Sequence, residues 1–476
     1  MVTEMTCGEF IERAIEALPY IPNGQQSAVL GALTRFCSMN GRANRERVFV
    51  LNGYAGTGKT SLIGALVKTL RSLSVPVVLM APTGRAAKVF SAYAGMRAGT
   101  IHRRIYRHSL NGEPPGMQTN KEKNAIFIVD EASMISGTDD AGGQNLLEDL
   151  LQYVYTGENC RLILVGDTAQ LPPVGCETSP AMDTGVLHTY GLAVTHATLT
   201  AVARQDELSG ILANATRQRR AMRLSPLPQP RLETDGYDDV AVISPEELAD
   251  VLASAYARAD GVEDTILVTR SNRRAVDFNR AIRSQVLYYE EELVRGELLM
   301  VAKNNYYWQR GVKGLDFVAN GDIVRIERVY GTENRYGFRF ADVRACLPDC
   351  PGPDSEPVTF DTKIMLETLS ADTPALSSER LRALYQAIAL ETMQNTEVTS
   401  RSLSAILRNS PWWNALQVKY AYAVTCHKAQ GGQWNDVVVD MVGIAPDAIG
   451  LDFYRWLYTA TTRARRRLYY LMAAAD

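Results

Sequence analysis

Short apolar runs rich in β-branched residues alternate with helical stretches along most of the chain, and this alternation constrains the fold more than any other feature. The runs form two sets, one before residue 200 and one after it: Val48–Leu51, Val77–Met80, Ile126–Val129 and Leu162–Val165, then Thr265–Thr269, Asp436–Asp440 and Leu468–Leu471. Strands that alternate with helices form parallel sheets whose two faces are covered by those helices. The sequence therefore predicts an α/β fold with two parallel-sheet domains.

A different pattern interrupts the second set. Residues 321–331, 335–345 and 357–366 alternate apolar and polar side chains between turn residues, which predicts a small antiparallel barrel inserted in the second domain. Residues 377–394 have the composition of an additional helix. A shorter insert at 102–125 contains Asn-Gly and Pro-Pro-Gly sequences, which predict a hairpin or a bent loop.

These patterns divide the chain into domains. We expect a first α/β domain over residues 1–200, with an amphipathic opening helix and a hairpin insert at 103–124. The second α/β domain is expected to comprise residues 201–295 and 416–476, with the barrel and its helical segment inserted over 296–415.

Composition excludes some classes of protein. The net charge of −3 argues against an indiscriminately basic polyanion binder, although a binding groove needs only local positive charge. The seven cysteines are scattered, which is typical of reduced thiols, and the N-terminus carries acids rather than a signal peptide. No apolar run approaches the roughly 20 residues of a membrane helix. We expect a cytoplasmic protein without membrane contact.

The sequence GYAGTGKT, residues 53–60, lies between a predicted strand and a predicted helix. This is the glycine-rich phosphate loop, whose backbone N–H groups surround phosphates at a helix N-terminus. It predicts ATP as a ligand, with Lys59 on the β- and γ-phosphates and Thr60 on Mg²⁺. The predicted nucleotide-binding residues of this loop are Gly53, Ala55, Gly56, Thr57, Gly58, Lys59, Thr60 and Ser61.

Two further strand ends complete the predicted site. IFIVDEAS (126–133) delivers Asp130 to the metal ion and Glu131 to the attacking water. LVGDTAQLPP (164–173) places Gln170 on a turn stiffened by two prolines. Because loops at the carboxyl ends of neighbouring parallel strands face one crevice, Gln170 should lie beside the γ-phosphate and act as its sensor.

Taken together, the motifs resemble those of superfamily-1B DNA helicases, in the RecD-like and phage Dda-like branch. Besides the three motifs above, the resemblance is carried by PNGQQSA (22–28), APTGRAAK (81–88), GTIH (99–102), VARQDELSGIL (202–212), LVTRSNRRAVDFNRAIR (267–283), AYAVTCHKAQGGQW (421–434) and LYTATTRAR (457–465). The resemblance implies two RecA-like domains that close on ATP, an SH3-like barrel in the second, and single-stranded DNA lying across both.

The resemblance also implies roles for individual residues. Gln25 would recognise adenine, Gly431 would contact the nucleotide, Arg204 would reach the γ-phosphate, and Arg463 would act as an arginine finger. The implied nucleic-acid-binding residues are Pro82, Thr83, Arg85, Thr100, His102, Asn272, Arg273, Thr425 and His427.

We therefore expect an ATP-dependent DNA helicase that uses Mg²⁺, moves 5′ to 3′ as a monomer, and binds single strands and duplex–single-strand junctions. One alternative is an RNA-directed superfamily-1 helicase. Another alternative is a clamp that uses ATP as a switch and does not unwind duplexes. Glu131 and Arg463 argue against a clamp, because a pure switch does not need a complete set of residues for hydrolysis. The insert is predicted to separate strands, the alternative being a solvated loop. Tyr306, Tyr307 and Trp308 are expected in the barrel core or rim rather than stacked on bases.

Overall fold

The structure is a computed structural model, and its description covers most of the chain. The described residues are 7–38, 46–107, 116–137, 145–202, 209–315, 317–352, 356–373, 375–395 and 400–473. Within them, no helix is long and apolar enough to cross a membrane.

The first domain is built on a six-stranded parallel sheet. The described part of this domain has eight strands, six of them in the sheet: β1 (Arg47–Gly53), β2 (Val77–Ala81), β3 (Gly99–Thr100), β4 (Tyr106–Arg107), β5 (Gly116–Met117), β6 (Ile126–Val129), β7 (Arg161–Gly166) and β8 (Ala193–Leu199). The sheet has the order β3-β2-β6-β7-β1-β8, and β4 pairs with β5 in a separate antiparallel ribbon. This ribbon is the base of the predicted hairpin insert, whose tip at 108–115 lies outside the described residues.

Helices cover both faces of this sheet. They are α1 (Cys7–Glu16), α2 (Gly24–Ser38), α3 (Lys59–Ser72), α4 (Gly84–Ala94), α5 (Ile101–Ile105), α6 (Leu146–Tyr155) and α7 (Thr184–Thr189). Phe49 and Leu51 of β1 are buried with α1–α4, whereas Val48 and Val50 are buried in a second core with α5 and α6. Burial on both faces explains why the strand is continuously apolar.

The second domain and its inserts follow from residue 209 onward. The strands are β9 (Val240–Ile243), β10 (Thr265–Thr269), β11 (Leu298–Val301), β12 (Ile323–Arg335), β13 (Phe338–Pro351), β14 (Pro357–Met365), β15 (Leu416–Tyr420), β16 (Ala423–Thr425), β17 (Trp434–Asp440) and β18 (Ala464–Leu471). The helices are α8 (Gly210–Ala221), α9 (Leu248–Tyr256), α10 (Asn272–Ala281), α11 (Ser378–Asn395), α12 (Ser400–Asn409), α13 (Cys426–Ala429) and α14 (Leu451–Thr461).

Five of these strands form the second parallel sheet, in the order β16-β10-β17-β18-β9, and β11 to β15 close into a barrel. Both observations confirm the predicted fold class. One boundary differs, because β15 (416–420) closes the barrel, whereas the sequence assigned residues from 416 onward to the second α/β domain. The chain passes from β15 to β16 within three residues, so no linker composition marks this boundary.

The predicted helix at 377–394 corresponds to α11. It packs with α12 on the hairpin of β12 and β13, where Phe338 and Phe340 share a core with Leu384 and Leu403. Two of the aromatic residues near the barrel are held by the barrel insert itself: Tyr306 stacks on Phe317 at 5.1 Å between ring centroids, and Trp308 Nε1 donates to the Asn414 carbonyl at 2.8 Å. These positions agree with the predicted location in the barrel core or rim, which was favoured over base stacking.

Candidate functional site

The strand order brings three predicted loops to one edge of the first sheet. β6, β7 and β1 are adjacent and parallel, so the segments that follow them share a crevice at their carboxyl ends. A hydrogen bond joins two of the segments, because the Thr168 N–H donates to Asn52 Oδ1 at 3.1 Å. The phosphate loop, the Asp130–Glu131 pair and the turn that carries Gln170 therefore form one site.

The phosphate loop has the geometry of an anion cradle. α3 begins at Lys59, so the free N–H groups of its first turn face the loop. Gly58 has a φ of +82°, and a Cβ at this position would lie 2.5 Å from Gln26 Nε2. The Lys59 ammonium donates to the Gly53 carbonyl, which keeps it folded over the loop.

Gln26 is attached to this loop, a contact that the sequence analysis missed. Its side chain is 1% exposed, and Nε2 donates to the Thr57 carbonyl at 3.1 Å and to the Tyr20 hydroxyl at 3.4 Å. Asn23 and Gln26 also accept each other's backbone N–H groups at 2.9 and 3.0 Å, which is the capping-box arrangement. The three-residue spacing of Asn23 and Gln26 is the sequence feature that points to this pair.

Gln25, the predicted adenine-recognition residue, contacts the segment that follows β8. Its Oε1 accepts from the backbone N–H groups of Thr200 and Ala201 at 2.9 and 3.0 Å, just beyond the end of β8. The side chain thus ties the start of α2 to the segment that leads out of the first domain.

The predicted metal ligands provide oxygen donors from two elements. Thr60 lies in the first turn of α3, and Asp130 follows β6 directly. A hydroxyl and a carboxylate, together with phosphate oxygens, are ligands that Mg²⁺ prefers, so the donor set fits this ion. Asp130 Oδ1 accepts from the Glu131 N–H at 2.9 Å, and Oδ2 accepts from the Tyr93 hydroxyl.

Glu131 lies among charges from both domains. Its backbone adopts the left-handed conformation, with a φ of +52°. Burial and the neighbouring Asp130 raise the pKa of Glu131, whereas Arg463 and Lys59 lower it, so both cations lie close to this carboxyl group. A carboxylate between these two cations can accept a proton from a water molecule beside the γ-phosphate.

Gln170 has an unused acceptor. The side chain is 6% exposed, and no described residue donates a hydrogen bond to its buried Oε1. Its backbone N–H donates to the Asp167 carbonyl at 3.2 Å, which fixes the turn. A buried polar atom without a partner is costly, so this oxygen fits a bond to water or to another donor in the crevice.

Tyr458 of α14 joins the second domain to the phosphate loop, although the sequence analysis did not single it out. Its hydroxyl accepts from the Ala55 N–H at 2.9 Å and donates to Asp167 Oδ2 at 2.6 Å. The next residue, Thr459, accepts from the Leu171 N–H at 2.8 Å. Both residues lie within LYTATTRAR, so the motif pointed to them without giving their partners.

Arg463 is buried at the end of the same motif, 2% exposed. Its guanidinium donates to the carbonyls of Thr459 and Gly432 at 2.8 and 3.1 Å, and to the Thr462 hydroxyl at 3.0 Å. These bonds hold the cation beside Glu131. Arg204, the other predicted γ-phosphate arginine, lies outside the described residues.

Gly431 and Arg85 both lie at the boundary between the domains, and each contacts residues of the other domain. A Cβ on Gly431 would lie 3.2 Å from Thr83 Oγ1, so this glycine lies against the start of α4. The Arg85 guanidinium stacks over the Trp434 ring at 4.0 Å and donates to the Gln433 carbonyl at 3.3 Å.

The other implied nucleic-acid residues lie at the N-terminal ends of helices in both domains. Thr83 caps α4, Thr100 caps α5, and β2 and β3 are neighbours, so these two helix starts are adjacent. In the second domain, α10 begins at Asn272 and α13 follows Thr425, again after neighbouring strands. Helix N-termini favour phosphate groups. Pro82 and His102 belong to the first group, and Arg273 and His427 are exposed members of the second.

Asn272 and Thr425 also line one cavity of about 40 Å³ between the second sheet and the barrel. Lys428, which the sequence analysis missed, lines the same cavity, and its ammonium donates to Asn320 Oδ1. Residues of two motifs, 267–283 and 421–434, therefore line the same cavity.

Two RecA-like sheets that meet at a single phosphate loop make this a two-domain P-loop protein. Residues 37–224 match the family model described as an AAA domain, and residues 420–471 match that of the UvrD-like helicase C-terminal domain. The comparisons confirm the predicted resemblance to superfamily-1B proteins of the RecD-like and Dda-like branch.

Two relatives illustrate this placement. The ATP-dependent RecD2 DNA helicase of Deinococcus radiodurans is 40% identical over 132 residues, which are 27% of this chain and only 16% of that protein. The ATP-dependent DNA helicase dda of Enterobacteria phage T4 is 24% identical over 451 residues, 88% of this chain and 93% of the relative. A solved structure, the Pif1 helicase from Bacteroides with ADP-AlF3 and single-stranded DNA, is similar over 95% of this chain and 92% of its own, at 14% identity and a TM-score of 0.47.

Proposed function

We propose that the protein is an ATP-dependent DNA helicase that moves 5′ to 3′ on single-stranded DNA and unwinds duplexes. The observation that carries the proposal is the position of Glu131 between cations of both domains: burial raises its pKa overall, and Arg463 of the second domain and Lys59 of the first oppose that increase. A γ-phosphate at this point would contact cations of both domains. ATP binding would therefore favour a closed cleft, and hydrolysis would release it.

Each residue of the site has a distinct part in this cycle. The phosphate loop and Lys59 bind the phosphates, and Thr60 and Asp130 are placed to hold Mg²⁺, which would neutralise phosphate charge. Glu131 accepts a proton from the attacking water, and Arg463 stabilises the charge that develops on the transferred group. Gln170 offers its free Oε1 to the same water and so responds to the presence of the γ-phosphate.

Movement along DNA follows from the positions of the helix N-termini. The starts of α4 and α5 belong to the first domain, and those of α10 and α13 belong to the second. If each group binds strand phosphates, opening and closing of the cleft changes the distance between the groups. If the two domains bind the strand tightly in turn, this change in distance moves the protein along the strand.

Polarity and unwinding are tested together. Duplexes with a 5′ single-stranded tail should be separated in the presence of ATP and Mg²⁺, whereas duplexes with a 3′ tail should remain paired. Lys59→Ala should abolish ATP hydrolysis by removing the cation that neutralises the phosphates, and its thermal unfolding should be unchanged. Unwinding from 3′ tails would reverse the proposed direction.

The same preparation separates the alternatives. ATPase activity stimulated by RNA but not by DNA would indicate an RNA-directed helicase. Nucleotide-dependent strand binding without stimulated turnover would indicate a clamp.

A further inference from the structure

Tyr93 contacts the proposed metal carboxylate although it lies in no recognised motif. It is on the last turn of α4, and its hydroxyl donates to Asp130 Oδ2. The ring stacks on Phe90 at 5.1 Å between centroids, which limits its rotation. A tyrosine from a neighbouring helix thus supports the residue that is proposed to hold Mg²⁺.

The backbone of Tyr93 is also held against the helix that carries Thr60. A Cβ added to Gly64 of α3 would lie 2.9 Å from the Tyr93 carbonyl oxygen, so only glycine allows the two helices to approach this closely. Gly64 is four residues, or about one turn, beyond Thr60. Tyr93 therefore connects α3, which supplies the metal-binding hydroxyl, with the strand end that supplies the carboxylate.

Both oxygens of Asp130 are engaged by this arrangement. Oδ1 accepts the Glu131 N–H at 2.9 Å, and Oδ2 accepts the Tyr93 hydroxyl, so the carboxylate plane is fixed from two sides. Groups that orient a metal ligand contribute strongly to metal affinity, and their loss typically weakens binding about 10- to 100-fold.

We propose that Tyr93 is a positioning residue that orients Asp130 for the metal ion and links it, through α4, to strand binding at Thr83. The second part rests on the proposed function. Thr83 caps the N-terminus of α4, and Tyr93 lies ten residues farther along the chain, roughly 15 Å along a helix that rises about 1.5 Å per residue. If α4 shifts as one body when a strand binds at its N-terminus, the distance between Tyr93 and Asp130 changes.

The positioning role is tested by metal binding without turnover. Mn²⁺ replaces Mg²⁺ as a spectroscopic probe, and its binding to the full chain with a non-hydrolysable ATP analogue is measured by electron paramagnetic resonance. Tyr93→Phe should weaken Mn²⁺ binding by about tenfold, because it removes one of the two bonds that fix the carboxylate. Tyr330→Phe is the matched control, since the Tyr330 hydroxyl donates to Asp361 at 3.0 Å in the barrel.

Thermal unfolding of both variants without metal or nucleotide reports the fold separately. Wild-type Mn²⁺ affinity in a folded Tyr93→Phe protein, or an equal loss in Tyr330→Phe, would overturn the positioning role.

The link to strand binding is tested by adding an oligothymidylate to the same titrations. We expect the strand to change the Mn²⁺ affinity of the wild type several-fold and that of Tyr93→Phe not at all. An equal change in both proteins would overturn the link and leave the positioning role intact. A wild-type protein that binds no single strand would overturn the proposed function and, with it, the link.

Discussion

At the scale of single residues, adjacent positions in this chain have different partners. Gln25 accepts two backbone N–H groups beyond β8, while Gln26 reaches the Thr57 carbonyl in the phosphate loop. Asp130 and Glu131 differ in the same way, since Asp130 accepts the Tyr93 hydroxyl and Glu131 lies among cations. Sequence motifs locate such pairs of residues, but the side-chain contacts are needed to distinguish the role of one residue from that of its neighbour.

The two glutamines give a direct test of this division. Gln26→Ala should weaken the binding of an ATP analogue by roughly fivefold, because it loses the hydrogen bond to the Thr57 carbonyl of the phosphate loop, worth about 1 kcal/mol. Gln25→Ala should weaken binding less, since its partners lie after β8. Equilibrium titration with a fluorescent analogue measures both. A larger loss in Gln25→Ala would support Gln25 as the adenine-recognition residue.

Glu131→Gln should retain nucleotide binding and lose turnover by roughly 10²–10⁴-fold, the usual contribution of a general base. The wild type should also lose activity on acidification at a higher pH than an ordinary glutamate would, because burial raises the pKa of Glu131 and only its ionised form accepts a proton. The pH profile of kcat measures this. A residual activity in Glu131→Gln with the same acidic limb would assign that limb to another group.

At the scale of elements, burial decided what the sequence could predict. The central strands β6, β7 and β10 are continuously buried, and their predicted bounds agree with the structure to within one residue. β8 lies at the sheet edge with exposed His196 and Thr195, so it lacks the apolar run on which the prediction relied. An edge strand has a neighbouring strand on one side only, so its side chains are less covered and it can carry both polar and apolar residues.

The hairpin insert yields a prediction at this scale. β4 and β5 anchor it, and the Gln118 side chain donates to the Tyr106 carbonyl at 2.6 Å. Replacing residues 108–115 with a short Gly/Ser linker keeps this anchor and should spare DNA-stimulated ATPase. Unwinding of 5′-tailed duplexes should fall sharply if the tip separates strands. Both activities are measured on one preparation, and unwinding that survives would assign strand separation to another element.

At the scale of the whole molecule, the sequence predicted which loops share a site but not how the domains and barrel dock. The Tyr458 bridge, the Arg85–Trp434 stack and the contact of α4 with the barrel all join residues far apart in the chain. No local pattern encodes such contacts, because each depends on the relative position of two separately folded units.

The docked barrel covers part of the predicted strand-binding surface. Lys88 of α4 pairs with Asp349 at 2.7 Å, and a Cβ on Gly84 would lie 2.5 Å from Asp322 Oδ1. Thr100 lines the cavity left between them, which measures about 120 Å³. We expect a strand bound across Thr83 and Thr100 to displace the barrel from the start of α4.

Because a bound strand is expected to displace the barrel, we expect strand binding to depend on pH. Burial raises the pKa of Asp322 to about 7, Asp349 adds to the increase, and the Ala319 N–H opposes it. Lys88, Arg97 and Arg103 also line the cavity.

Because the docked pKa lies above the ordinary value of 3.8, the docked state favours the protonated carboxyl group and loses stability as the pH rises from about 4 to about 7. The affinity of the wild type for single-stranded DNA should therefore rise between pH 5 and pH 7, since less free energy is needed to displace the barrel. Asp322→Asn removes the titrating group and should bind with an affinity that changes little over this range. Fluorescence anisotropy of a labelled oligonucleotide at fixed ionic strength measures both proteins, with Asp361→Asn in the barrel as the control. The same pH dependence in Asp322→Asn as in the wild type would show that the barrel contact at Gly84 does not limit strand binding.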